Sequence, residues 1–158
     1  MPNRIAEEFI LSRKFNEFGQ FEQLRREVKY GENSRIDLLL SSPGTPDTYV
    51  EVKSITMQRE AGAHEFPDGV TERGRKHLVE LSAMVEKGHR AIMLYLIQRD
   101  DGDKFSLARD VDPLYAAAFD KAIQVGVEAI AIRCKVSVEE IVADKVIEID
   151  EAVMRQVK

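Results

Sequence analysis

The sequence has a single cysteine, Cys134, and no tryptophan. One thiol excludes an intrachain disulfide framework and suits a reducing cytoplasm. Neither Cys134 nor the three histidines stand at a zinc-type spacing. Long apolar runs are also missing: the longest, Ala91–Ile97, falls far short of the ~20 residues that span a bilayer. Met1–Glu8 carries no signal-peptide pattern, so the expectation is a cytoplasmic protein with no membrane association. Repeats and linkers are absent. A positive excess is absent too, since the net charge is −5, which argues against gripping nucleic acid by bulk electrostatics.

What is present is an ordinary globular composition, 44% hydrophobic and 32% charged, long enough for one full core. A single domain over residues 1–158 is expected. The charge is unevenly spread. Residues 100–158 hold 13 acids against 8 bases, leaving 15 of each in residues 1–99. The neutral part contains basic clusters at Arg25-Arg26, Lys29, Arg35 and Arg73-Gly74-Arg75-Lys76.

Apolar spacing predicts a helix over 3–18, ending near Gly19. Strands are predicted over 23–30, 35–40 and 48–56, with a Pro/Gly loop at 41–47. Residues 57–70 read as a long connection containing loop histidine His64. A helix capped by Thr71 runs to about Lys87, with Gly74 letting it lie close to a sheet and His89 in the loop beyond. A strand over 91–98 follows, then a helix opened by Asp112-Pro113 and stopped at Gly126. The last elements are a strand over 127–132, a short helix opened by the Ser137-x-x-Glu140 capping box, and an edge strand over 145–149. The order αβββαβαβ gives an α/β fold, a mixed central sheet flanked by helices.

Asp37 interrupts an apolar strand, Ile36-Asp37-Leu38-Leu39-Leu40, and Glu51-Val52-Lys53 follows on the next strand. An ionised carboxylate among buried neighbours is costly unless something compensates it, and a divalent cation shared with a second carboxylate does so. Glu51 and Lys53 face one side of their strand. If the Pro43–Asp47 loop turns symmetrically, Asp37 is expected opposite about Val52, on the wrong face; a one-residue asymmetry or bulge in that loop puts it beside Glu51 or Lys53. The sequence leaves that register open. Glu-x-Lys alone is common on outward-facing strands, and it is Asp37 that makes the set informative. Two carboxylates, with the Val52 carbonyl as an added ligand, suit magnesium or manganese. Lys53 would position or deprotonate an attacking water.

The blocks Arg26–Gly31, Ser34–Leu39, Tyr49–Ser54 and Phe66–Leu78 resemble the sugar fermentation stimulation protein A family. The resemblance is dense from about residue 25 to 99. It implies a restriction-endonuclease-like PD-(D/E)xK domain with Asp37, Glu51 and Lys53 as the triad. It also implies that Glu27, Arg35, Asp68, Thr71, Arg73 and His77 line or support the site. Members resemble such a domain preceded by an OB-like domain, which is expected to be missing from this chain. The expected partner is nucleic acid, DNA or RNA, contacted by Arg35, Arg73, Arg75 and Lys76. The expected activity is metal-dependent phosphodiester hydrolysis. The alternatives are a non-cleaving DNA-binding regulator of sugar (maltose) metabolism and a protein-interaction module.

Overall fold

The apolar run of Ala91–Ile97 lies within an interior strand of the sheet, Arg90–Ile97, that is buried along nearly its whole length. Its residues alternate between two cores, as a strand covered on both faces requires. Met93, Tyr95 and Ile97 enter one core, and Ile92, Leu94 and Leu96 the other. Each such side chain contributes roughly 1.5–3 kcal/mol of hydrophobic stabilisation.

The computed structural model describes residues 2–156. In chain order the elements are α1 (Pro2–Leu11), a 3-10 turn (Asn16–Phe18), β1 (Gln23–Tyr30), β2 (Ser34–Ser41), β3 (Thr48–Ile55), β4 (Met57–Glu60) and β5 (Ala63–Phe66). They continue with α2 (Glu72–Glu86), β6 (Arg90–Ile97), β7 (Lys104–Leu107), α3 (Pro113–Val125), β8 (Glu128–Val136), β9 (Ile141–Ile149) and α4 (Ala152–Gln156). The strands line up as β1-β2-β3-β6-β8-β9-β7-β5-β4. The sheet is mixed: β2 runs antiparallel to both β1 and β3, whereas β3, β6 and β8 run parallel. The α2 and α3 helices cover one face, with Leu78, Leu81, Tyr115 and Phe119 in their core; α1 covers the other, with Ile5, Phe9 and Ile10. This is the expected α/β arrangement, a mixed sheet flanked by helices. No helix among the described residues is long and apolar enough to cross a membrane.

Several local expectations change. The first helix stops at Leu11, because Arg13 adopts a left-handed φ of 61° that a helix cannot continue through. Phe15 and Phe18 instead pack edge-on against Phe9, at 4.7 and 5.4 Å between ring centroids. The 57–70 connection contains the β4–β5 hairpin, which has no clear apolar alternation. His64 is a fully buried strand residue, not a loop one. The Ser137/Glu140 pair opens no helix. Glu140 N–H donates to Ser137 Oγ at 3.1 Å and Ser137 N–H to the Glu140 carbonyl at 2.9 Å, closing the turn of the β8–β9 hairpin. Ladder pairing from Ala131 to Val136 favours strand over helix there. Residues 145–149 lie inside the sheet, since β9 stands between β8 and β7. Gly74 serves a helix contact rather than a sheet contact: a Cβ there would meet Thr71 Oγ1 at 2.9 Å and the Tyr115 ring of α3 at 3.2 Å.

Candidate metal and nucleic-acid site

The register between β2 and β3 decides what Asp37 can reach. Leu40 pairs with Thr48, Leu39 with Tyr49 and Leu38 with Val50. The intervening 41–47 loop is therefore symmetric about Gly44, rather than offset by the expected one residue, and that symmetric register itself brings Asp37 level with Glu51. The ladder ends there. In place of a β2 carbonyl, Asp37 Oδ2 accepts the Val52 N–H at 2.7 Å. Asn3, at the start of α1, donates to Asp37 Oδ1 at 2.9 Å. A strand residue presents its N–H and C=O toward the same neighbour, so the Val52 carbonyl faces this same gap.

Val50 and Val52 enter the α1 core, while Ile55 enters the α2 core. Glu51 and Lys53 share the parity of Ile55 and so face α2. There they meet His77. Lys53 Nζ lies 3.0 Å from His77 Nδ1 and 3.8 Å from Glu51 Oε1, and His77 Nδ1 lies 3.1 Å from Glu51 Oε1. Glu51 is 4% exposed, and its Oε2 has no hydrogen-bond partner.

The electrostatics follow from that crowding. Burial pushes the Glu51 carboxyl up, the adjacent Asp37 charge adds to it, and Lys53 and Arg73 offset only part. Burial likewise pushes the Lys53 ammonium down, against the pull of Glu51 and Asp37. His77 falls to about 4 through burial, with the Lys53 and Arg73 charges next. Its imidazole is therefore neutral near pH 7, and the close Glu51–His77 contact is not an ion pair. A neutral Nδ1 that accepts from Lys53 has no proton left to give Glu51. Glu51 is left short of donors.

The remaining expected site residues lie at different depths. Thr71 caps α2 by accepting the Gly74 N–H at 2.9 Å, and its own N–H donates to Asp112 Oδ2 at 2.9 Å. Arg73 and Lys76 are exposed on the first turns of α2, and Arg75 is half-buried, 3.8 Å from Glu72. Arg35 is exposed on β2. Glu27 is exposed at the β1 position level with Asp37, with a left-handed φ of 52°. Asp68 is exposed just ahead of α2. Among the described residues, Glu27, Arg35 and Asp68 make no side-chain bond to the cluster.

Three neighbours escaped the sequence reading. Asn3 gave no signal. Glu80 did: three residues after His77 and one before Leu81, it falls on the buried stripe of α2. Tyr30 reads as core, and it is, but its hydroxyl is buried without a partner. A cleft of about 1020 Å³ opens near the start of β3 around Phe21, Thr48 and Arg90, and none of the triad lines it.

No group of three or more His, Cys, Asp and Glu side chains gathers as a metal cage among the described residues. The donor set is smaller: two carboxylates and a carbonyl. That set fits a hard cation that keeps several waters, as magnesium does, and the orphaned Glu51 Oε2 is an oxygen such an ion would take.

Comparison with known proteins agrees with this architecture. Residues 1–140 match the family model of the sugar fermentation stimulation protein RE domain. A sugar fermentation stimulation protein homolog from Agrobacterium fabrum is 52% identical over 151 residues, covering 96% of this chain and 63% of the relative. One from Sinorhizobium medicae is 53% identical over 153 residues, covering 97% and 64%. The chain thus spans just under two thirds of the length of these relatives. The solved structure of Pyrococcus furiosus SfsA in complex with Ca2+ superposes with a TM-score of 0.76 at 28% identity, over 94% of this chain and 62% of that one. The chain belongs to the sugar fermentation stimulation protein family.

Proposed function

We propose that this chain binds nucleic acid and hydrolyses phosphodiester bonds with a divalent cation, magnesium or manganese. Asp37, Glu51 and the Val52 carbonyl would hold the ion. The observation that carries the reading is Glu51, a buried carboxylate beside a second carboxylate, with one oxygen unbonded. A family member solved with Ca2+ supports a divalent cation here.

When bound, the cation acidifies an attacking water and offsets charge developing on the phosphate. The protein supplies the rest. Asn3 and the Val52 N–H fix the Asp37 carboxylate, each holding one oxygen. Lys53, on the face of β3 shared with Glu51, orients the attacking water, and its lowered affinity for a proton suits it to take one. His77 Nδ1, 3.0 Å from Lys53 Nζ, would accept one of its N–H groups and so aim the neutral amine that takes the proton. Arg73, Arg75 and Lys76 on α2, with Arg35 on β2, contact phosphates along the opening, and Glu27 and Asp68 border it. A cytoplasmic location fits such a protein.

The family name favours a second reading, a DNA-binding regulator of sugar metabolism that does not cleave. Incubation with single- and double-stranded DNA and RNA, with manganese and with chelator, separates the two. Cleavage only with manganese is the expected result. Binding without cleavage under every condition favours the regulator. Neither binding nor cleavage overturns both and leaves the protein-interaction module.

A further inference from the structure

Three buried polar atoms beside the site have no hydrogen-bond partner: Glu51 Oε2, Glu80 Oε2 and the Tyr30 hydroxyl. Their residues are 4%, 9% and 8% exposed. Two are carboxylate oxygens, which accept; the third can donate. Left unmade, such bonds are costly, so a cluster of them calls for a partner.

The fold holds these groups together. Tyr30 packs in the α2 core and lies against the Tyr49 ring at 5.6 Å, and Tyr49 stands two residues from Glu51 on the same face of β3. Across the β1–β2 turn Tyr30 pairs with Ser34, whose Oγ donates to Glu80 Oε1 at 2.5 Å. Glu80 reaches under that turn because residue 31 is glycine with φ 58°; a Cβ there would collide with Glu80 Oε2. Burial, then the Glu51, Glu80 and Asp37 charges, raise the pKa of the Tyr30 hydroxyl, so it remains an O–H donor.

We propose that Tyr30 is a positioning residue of the metal site, its hydroxyl donating to the Glu51 carboxylate when a cation is bound, with Glu80 as the rival acceptor for that hydroxyl. This rests on the cation reading above. One donor serves two carboxylates, and the cation tips it toward Glu51 by requiring that carboxylate ionised and correctly turned. Ser34 and Gly31 keep Glu80 in place as the second acceptor.

Calorimetric titration of manganese into the parent, Tyr30→Phe and Glu80→Gln chains tests it, with melting in chelator alongside. Tyr30→Phe keeps the ring and deletes only the hydroxyl. It is expected to melt with the parent in chelator and to bind manganese about tenfold more weakly, the effect of one hydrogen bond to a charged group. Glu80→Gln removes the rival acceptor's charge and is expected to bind manganese as tightly as the parent or tighter. Equal manganese affinity in parent and Tyr30→Phe overturns the positioning role while leaving the cation reading standing. Weaker binding by Glu80→Gln overturns the rival role. No manganese binding by the parent overturns the cation reading and this inference with it.

Discussion

Glu51 and Glu151 lie at nearly the same depth, 4% and 6% exposed, and they live in opposite surroundings. Glu151, just before α4, accepts the Leu107 N–H at 2.8 Å through Oε2, and Arg109 at 2.9 and 2.5 Å through Oε1. Asp120 braces the other side of the same guanidinium. Asp112 is similar: burial alone would raise its pKa, but the Thr71 and Tyr115 N–H groups bring it below the usual carboxylate range. Around Glu51 stand a second carboxylate, a neutral imidazole and one ammonium at 3.8 Å. A buried carboxylate supplied with donors holds architecture together. One left short of donors beside another carboxylate marks where an external cation completes the set.

The largest effect expected from this contrast is on chemistry. Lys53→Ala should lower cleavage by about 10²–10⁴-fold, the usual weight of a positioned proton-transfer group, while manganese still binds. Glu151→Gln should leave the rate per folded molecule unchanged. Cleavage assays on both variants, normalised to folded protein, check the pair; equal losses would erase the distinction.

Stability should divide the other way. Glu151→Gln turns an acceptor into a donor facing Leu107 N–H or Arg109 and should cost about 1–3 kcal/mol. Glu51→Gln in chelator should cost nothing or stabilise, because it removes a buried carboxyl that is short of donors and costly to ionise. Denaturant unfolding of both chains measures this. A Glu51→Gln loss as large as that of Glu151→Gln would mean that Glu51 is architectural too.

The pH dependence sharpens the same point. His77 is pushed down to about 4, so between there and its ordinary 6.5 the unfolded chain binds the extra proton, and stability rises with pH. Glu51 is pushed up, so the folded chain keeps its proton above the ordinary 4.5, and its contribution falls as pH rises. The two oppose each other below pH 6.5. Above it Glu51 acts without the histidine, and in chelator the stability of Glu51→Gln relative to the parent should grow with pH. Melting series in chelator read this directly, and a constant difference across that range would show Glu51 already ionised.

The smallest effect concerns Arg73. Exposed at the helix start, it should contribute one phosphate contact, so Arg73→Ala should weaken binding across all sequences and flatten the log–log salt slope by about 1. An unchanged slope would remove Arg73 from the interface.

The main helices and strands were legible because apolar period, caps and glycines agreed. Asp112-Pro113 opens α3, Thr71 caps α2, and the 90–97 run is buried on both faces. The β4–β5 hairpin was not legible: its residues show little alternation, and Arg59 holds it through ion pairs to Glu65 and Asp110. Short motifs misled where distant pairing overrode them, as at Ser137 and Glu140. Asp37 and Glu51 could be named from the sequence, but whether they meet depended on which residue sits at the centre of the 41–47 loop, Gly44 in the structure, and composition does not encode that. Asn3 reaches Asp37 only through tertiary packing of α1, and Tyr30 comes to lie near the site only through the β1–β2 turn.

Anomalous diffraction from crystals soaked in manganese tests the central claim most directly. The account predicts one strong peak bonded to the Asp37 and Glu51 carboxylates, with the Val52 carbonyl as a further ligand, and its loss in Glu51→Gln. Manganese bound elsewhere, with Asp37 and Glu51 still facing each other bare at saturating metal, would contradict it.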